Sequence, residues 1–316
     1  MINMIGLLTK TAGRRKVIFG IIVYVAFCVV YNIAQLIYTY RVDTQLPAIL
    51  HADEIPILSN MTVKIIAIGS GITSKGLQSV NESNIAKKFQ FISSLLPSFC
   101  HTVSSHFIYA FYLAHDYTDP VFSDDRLSAA FTEAFRHQIS EVCPHSVRPK
   151  LHLINCTHSG KPAWAQNDAM MDAYHNNADY FYRVNDDTKM VTPQWAETFV
   201  AALDRYDPPR VGVVGPSHHG GNTDILTHDF VHRTHIDVFG FYYPRVFTDW
   251  FGDGWITRVY KPDRCTKMRQ VRVKHTQRLG TRYDVNPSLK RLLLPVVHRD
   301  KLILERYVNR LVVTFY

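Results

Sequence analysis

From residue 61 onward the chain alternates runs suited to a buried strand with runs at helical spacing, and few folds accept that alternation. VKIIAIGSG (63–71) is β-rich and ends in small residues; SNIAKKFQFISSLL (83–96) has helical spacing. FIYAFYLAHD (107–116) reads as a second strand, DRLSAAFTEAFRHQI (125–139) as an amphipathic helix and KLHLINC (150–156) as a third strand. A helix over 162–177, capped near Ser159, precedes the strand DYFYRV (179–184). A helix over 192–206 with Pro193 in its first turn then leads to a strand over 210–216. This pattern predicts an α/β fold with a mixed, mostly parallel sheet flanked by helices. Such sheets bind ligands at the carboxyl ends of their strands. Asp116 ends the second strand, and Asn185, Asp186 and Asp187 follow the fourth.

The segment before residue 61 is different. Val17 to Tyr38 is 22 residues without a charge, long enough to span a bilayer as a helix. Lys10, Arg14, Arg15 and Lys16 precede it with no acid among them, which predicts a cytosolic N-terminus. A cleaved signal peptide has a shorter apolar region and a small-residue cleavage site, whereas this run ends LIYTYR. The expectation is a cytosolic tail (1–16), an uncleaved signal anchor (17–38), a stem (39–60) and a lumenal domain (61–316). Sequons at Asn60, Asn81 and Asn155 fit that side of the membrane. Cys28 lies within the anchor; Cys100, Cys143, Cys156 and Cys265 are either paired in an oxidising lumen or buried as free thiols. The net charge of +8 suits phosphorylated small molecules, anionic lipid or nucleic acid. No zinc-finger spacing or base-reading helix occurs, so nucleic acid is not expected.

The acidic cluster has two readings. Adjacent Asp residues are common in turns that cap a following helix. They also suit Mg²⁺ or Mn²⁺, which prefer carboxylate oxygens and leave positions for substrate phosphates. NADYFYRVNDDTKMVTPQW resembles the metal-binding region of nucleotide-sugar glycosyltransferases of the GT-A (Rossmann-like) fold, in which an apolar strand runs into an Asp-x-Asp or Asp-Asp-Asp element. Here Asn185 stands where the first acid would be. The resemblance covers roughly residues 61–285, and with the anchor and stem it matches the plan of type II Golgi enzymes. The β-1,3-galactosyltransferase and chondroitin-type hexosyltransferase groups are the nearest in plan.

That resemblance implies a metal-dependent transferase using a UDP-sugar donor and a glycan acceptor. It implies Asp187 as metal ligand, with Asp186 on the ribose or a metal-bound water, and His275 completing the site, with His298 its rival. Gly69, Ser70 and Gly71 would lie beside the nucleotide, and Asp116 would contact uracil or ribose unless it is a turn residue. Arg278 and Arg282 would neutralise the diphosphate or else be solvated. In TDWFGDGWITRVY (248–260) the resemblance places a catalytic base, for which Asp253 is the candidate; Gly254 stands where a second acid is expected. A weak or inactive carbohydrate- or nucleotide-binding protein on the same fold is therefore the alternative, and a two-metal phosphoester hydrolase a more distant one. In the stretch 216–244, Gly220 and Gly221 suggest a loop over the donor. Phe239, Phe241, Tyr242 and Tyr243 would line an acceptor groove or pack the core. Histidines 228, 232 and 235 have spacing that a helical zinc site could use, but the β-branched and aromatic setting favours strand or loop.

Overall fold

The computed structural model describes residues 63–219, 222–275 and 282–314. The expected tail, anchor and stem, the sequon at Asn60, the glycines at 220 and 221, and Arg278 lie outside them. No helix among the described residues is long and apolar enough to cross a membrane.

Eight strands form one sheet in the order β3-β2-β1-β4-β7-β6-β8-β5. They are β1 (Ile65–Gly71), β2 (Ile108–Asp116), β3 (Lys150–Cys156), β4 (Tyr180–Arg183), β5 (Thr188–Met190), β6 (Val213–His219), β7 (Asp229–His232) and β8 (Cys265–His275). β1 pairs parallel with β2 and β4, β2 with β3, and β6 with β8. β7 runs antiparallel to both β4 and β6, so β6 and β8 regain the direction of β4. This double reversal brings the carboxyl ends of β1, β2, β4 and β8 to one edge. β5 returns antiparallel along β8, with Thr188 opposite His275.

Both faces of the sheet are covered, as the near-continuous apolar runs require. Alternate residues of β1, β2 and β4 feed two cores. Ile66, Ile68, Phe111 and Tyr182 enter one; Ala67, Tyr112 and Phe181 enter the other. The first core is a set of edge-to-face aromatic pairs, Phe89 on Phe131 and Phe99 on Phe111 among them. Its cover comprises α1 (Ile85–Lys88), α2 (Leu96–Thr102), α3 (Asp125–Val142) and α5 (Trp195–Leu203); Asp124 caps α3 by accepting from the backbone of Arg126 and Leu127. The second is covered by α4 (Pro162–His175), α6 (Thr234–Phe239), α7 (Gly252–Tyr260) and α8 (Leu293–Thr314).

Several expectations need correction. The helix expected over 83–96 is broken: α1 stops at Lys88 and a π turn over Phe91–Leu95 leads into α2. Pro97 has no N–H to give the carbonyl one turn back, so the regular ladder is interrupted there. The helix expected from residue 192 starts at Trp195, because Gln194 has a left-handed backbone (φ 53°). Ser159 does not cap α4. The 229–243 stretch is strand β7 followed by helix α6, not strand or loop throughout. Of the four cysteines beyond residue 61, Cys100 and Cys143 form a disulfide, while Cys156 and Cys265 are free.

Candidate active site

The edge where β1, β2, β4 and β8 end opens into a cavity of about 1320 Å³. Asn185, Asp186 and Asp187 leave β4 into it. They precede a strand, not a helix, so the helix-capping reading of these residues fails. A turn closed by Thr188 N–H on Asn185 O (3.1 Å) reverses the chain into β5. Because β5 lies along β8, that reversal carries Asp187 to His275, 88 positions later. The Asp187 Oδ1 to His275 Nε2 distance is 2.9 Å, and both side chains are about 15% exposed.

Asn185 turns its amide Nδ2 to the same ring nitrogen, at 3.0 Å. When this nitrogen carries the proton, its contact with Asp187 is an ordinary hydrogen bond; when it does not, nitrogen and carboxylate turn two lone pairs toward one point, which a cation can bridge. An oxygen and an imidazole nitrogen about 3 Å apart also match adjacent positions around an ion bound at roughly 2.1 Å. The donor set therefore fits Mg²⁺ or Mn²⁺.

Asp186 is turned elsewhere. Its buried carboxylate accepts from Arg282 Nη2 at 2.5 Å. Burial raises its pKa and the guanidinium opposes that rise. Arg282 thus neutralises Asp186, and Asp187 is left beside His275. His298 is exposed on α8 and does not line the cavity. Behind the pair, His228 is fully buried with Nε2 2.8 Å from Thr188 Oγ1, and burial holds its pKa well below the ordinary value.

The β1 end divides its three candidates. Ser70 and Gly71 line the cavity, but Gly69 does not. A Cβ on Gly69 would lie 2.6 Å from Met170 Sδ and Cε, so this glycine admits α4 against the sheet and does not face a ligand. Asp116 lines the cavity as a clasp, its Oδ2 accepting from Ser159 Oγ (3.0 Å) and Gly160 N (2.8 Å). It is a turn anchor, and it fixes the loop that leads into α4.

Asp253 lies in the first turn of α7 and lines the same cavity, its Oδ1 accepting from Gly254 N at 2.7 Å. Beneath it is a buried network that the sequence reading missed. Arg183, the last residue of β4, donates Nε to Gln166 Oε1 (3.0 Å) and Nη1 to Thr227 O. Asp229 on β7 accepts from the hydroxyls of Tyr242 and Tyr243, both at 2.5 Å. Burial raises the Asp229 pKa to about 6 against the pull of Arg183. A lone arginine in the apolar run YFYR was the available signal. The expected acceptor aromatics are mostly core: Phe239 and Tyr242 are buried, and of the four only Tyr243 reaches the cavity. The half-exposed aromatic in the cavity wall is Trp250. Histidines 228, 232 and 235 do not converge: His232 packs on Tyr180, and His235 bonds Tyr260 Oη and Tyr242 O.

No protein-family model matches the chain, and no curated protein does. Among solved structures, TarS of S. aureus is 12% identical with a TM-score of 0.45, over 79% of this chain and 43% of that one. A Desulfovibrio desulfuricans G20 protein assigned as a nucleotide-diphospho-sugar transferase is 11% identical with a TM-score of 0.31, over 56% of this chain and 67% of that one. The chain thus spans less than half the length of TarS. Neither likeness is strong enough to carry an argument about activity.

Proposed function

We propose that the chain is a metal-dependent glycosyltransferase that moves a hexose or N-acetylhexosamine from a UDP-sugar to a glycan hydroxyl. The observation that carries this reading is the meeting of Asp187 and His275, 88 positions apart in the chain, inside a cavity that also holds Asp253. Asp187 and His275 would hold Mn²⁺ or Mg²⁺, which when bound neutralises the diphosphate of the leaving nucleotide. Arg282, held by Asp186, lines the same cavity. Ser70 and Gly71 bring backbone close to the nucleotide. Asp253 accepts the proton of the acceptor hydroxyl as its oxygen bonds to the anomeric carbon and the carbon–oxygen bond to the diphosphate breaks.

The membrane placement belongs to the same proposal: a single-pass type II protein of the Golgi or endoplasmic reticulum with its catalytic domain in the lumen. It is supported by the uncharged 17–38 run, the Cys100–Cys143 disulfide, and the exposed positions of Asn81 and Asn155.

The test is UDP release from a panel of UDP-sugars with Mn²⁺, with and without mixed glycan acceptors. Acceptor-dependent release from one donor, lost in Asp187→Ala, is the expected result. Gly254 favours a second reading, a protein that binds the donor without turning it over. Metal-dependent UDP binding with no release from any donor is the outcome that selects it.

A further inference from the structure

The cavity wall contributed by α7 has an unusual hole. Gly254 is buried there, and the Arg258 guanidinium fills the place of its absent side chain. Arg258 Nη1 lies 3.0 Å from where a Cβ at 254 would stand and donates to Gly254 O at 2.9 Å. Among the described residues Arg258 belongs to no ion pair, although Asp253 lines the same cavity. Arg282, by contrast, is spent on Asp186. A guanidinium that lines a cavity with donors to spare is a ready partner for a carboxylate, which its planar fork matches with two parallel bonds.

Trp250 stands three residues before Asp253. It is 48% exposed and lines the cavity. Its indole is gripped by the edge, Nε1 donating to Tyr283 Oη at 2.9 Å. The turn beneath it is pinned as well: Asp249 accepts from the backbone N–H of Trp250 and, at 2.8 Å, from that of Asn286. An indole held by its edge, on a fixed turn, offers its ring face to the apolar C–H face of a sugar at little entropic cost.

We propose that Trp250 and Arg258 form an acceptor subsite for a pyranose bearing a carboxylate. The ring stacks on the indole, the carboxylate takes the Arg258 guanidinium beside Gly254, and a hydroxyl is left toward Asp253. Its role as an acceptor subsite rests on the transferase reading; the binding itself needs neither donor nor metal.

The full-length chain, purified in detergent, would be titrated with methyl β-D-glucuronide and methyl β-D-glucoside, which differ only in the charged group, by ligand-observed NMR. The glucuronide is expected to bind about tenfold more tightly, the scale of one charge-assisted hydrogen bond. Arg258→Gln should erase that preference and leave glucoside binding unchanged, and Trp250→Ala should weaken both sugars. Gly254→Asp is a second route, because it supplies Arg258 with an internal carboxylate; it should erase the preference with the guanidinium still present. Equal binding of the two sugars to the wild-type chain would overturn the proposal, as would a preference that survives in both Arg258→Gln and Gly254→Asp. UDP binding with Mn²⁺, measured on the same preparation, separates the two ideas. A glucuronide preference without UDP binding keeps the subsite and removes the transferase reading, and UDP binding without the preference does the reverse.

Discussion

Asp187 and Asp253 share one cavity but are assigned different duties, so their losses should differ in kind. Asp187 faces the His275 nitrogen at 2.9 Å, whereas Asp186 is committed to Arg282, so Asp187 is the acid assigned to the proposed metal. Asp187→Ala should therefore abolish Mn²⁺-dependent UDP binding, read by calorimetry, and UDP release with it. Asp253 touches no proposed metal ligand; its known bond is to Gly254 N. Asp253→Asn keeps the shape and that bond but removes the proton acceptor. UDP binding should stay within about twofold while acceptor-dependent release falls about 10²–10⁴-fold, the usual worth of a general base. A variant that lost UDP binding as well would place Asp253 on the donor. Asp186 and Asp187 were legible in the sequence because they follow an apolar strand at its carboxyl end, and Asp253 through the family resemblance. The pairing of Asp186 with Arg282 was not, because local pattern does not tell which of two adjacent carboxylates a distant arginine will reach.

Elements explain Gly69 better than ligands do. The sequence 69–71 reads as a ligand loop, but all three residues are the end of β1; Ser70 and Gly71 line the cavity, and Gly69, opposite Arg183 in β4, does not. Its hydrogen is where α4 comes closest to the sheet. Gly69→Ala drives a methyl to 2.6 Å from the Met170 thioether, the flexible end of a side chain. The expected cost is about 1–3 kcal/mol of stability by chemical denaturation, with UDP binding of the folded fraction unchanged. The double variant Gly69→Ala, Met170→Ala should recover part of the loss. At the same scale, the disulfide ties the end of α2 to the residue after α3, 43 positions on. Replacing both cysteines by serine should cost about 2–4 kcal/mol, mostly by freeing the unfolded chain, and lower the melting temperature without changing metal affinity. Hydrophobic periodicity made most of these strands and helices legible. It could not show that Gln194 turns left-handed, or that residues 234–239 form a helix. Both depend on packing partners that come from elsewhere in the chain.

Buried titratable groups set how the stability of the whole molecule should follow pH. His232 packs on Tyr180 of the first core and His235 on Tyr242 of the second; both are buried, and burial lowers the pKa of each to about 4, against an ordinary value near 6.5. The folded state holds these rings neutral while the unfolded chain protonates them, so between pH 6.5 and 4 unfolding takes up protons and acid destabilises the fold. Asp229 acts in the opposite sense. Its folded pKa of about 6 lies above the ordinary 3.8, so over that interval the folded state holds a proton that the unfolded chain has released. Two histidines against one carboxyl leave a net uptake near one proton at pH 5, or on the order of 1 kcal/mol per pH unit. His228, also lowered by burial, adds to the histidine side, and Asp186, raised by burial, to the carboxyl side. The denaturant midpoint should therefore hold steady above pH 7 and fall as pH drops from 6.5 toward 4.5. Asp229→Asn removes the opposing group, and the fall should become steeper in that variant. A midpoint that rose on acidification would mean that Asp229 outweighs the histidines, and that the Arg183–Asp229–tyrosine network under the cavity, not the histidines of β7 and α6, sets the acid limit of the fold.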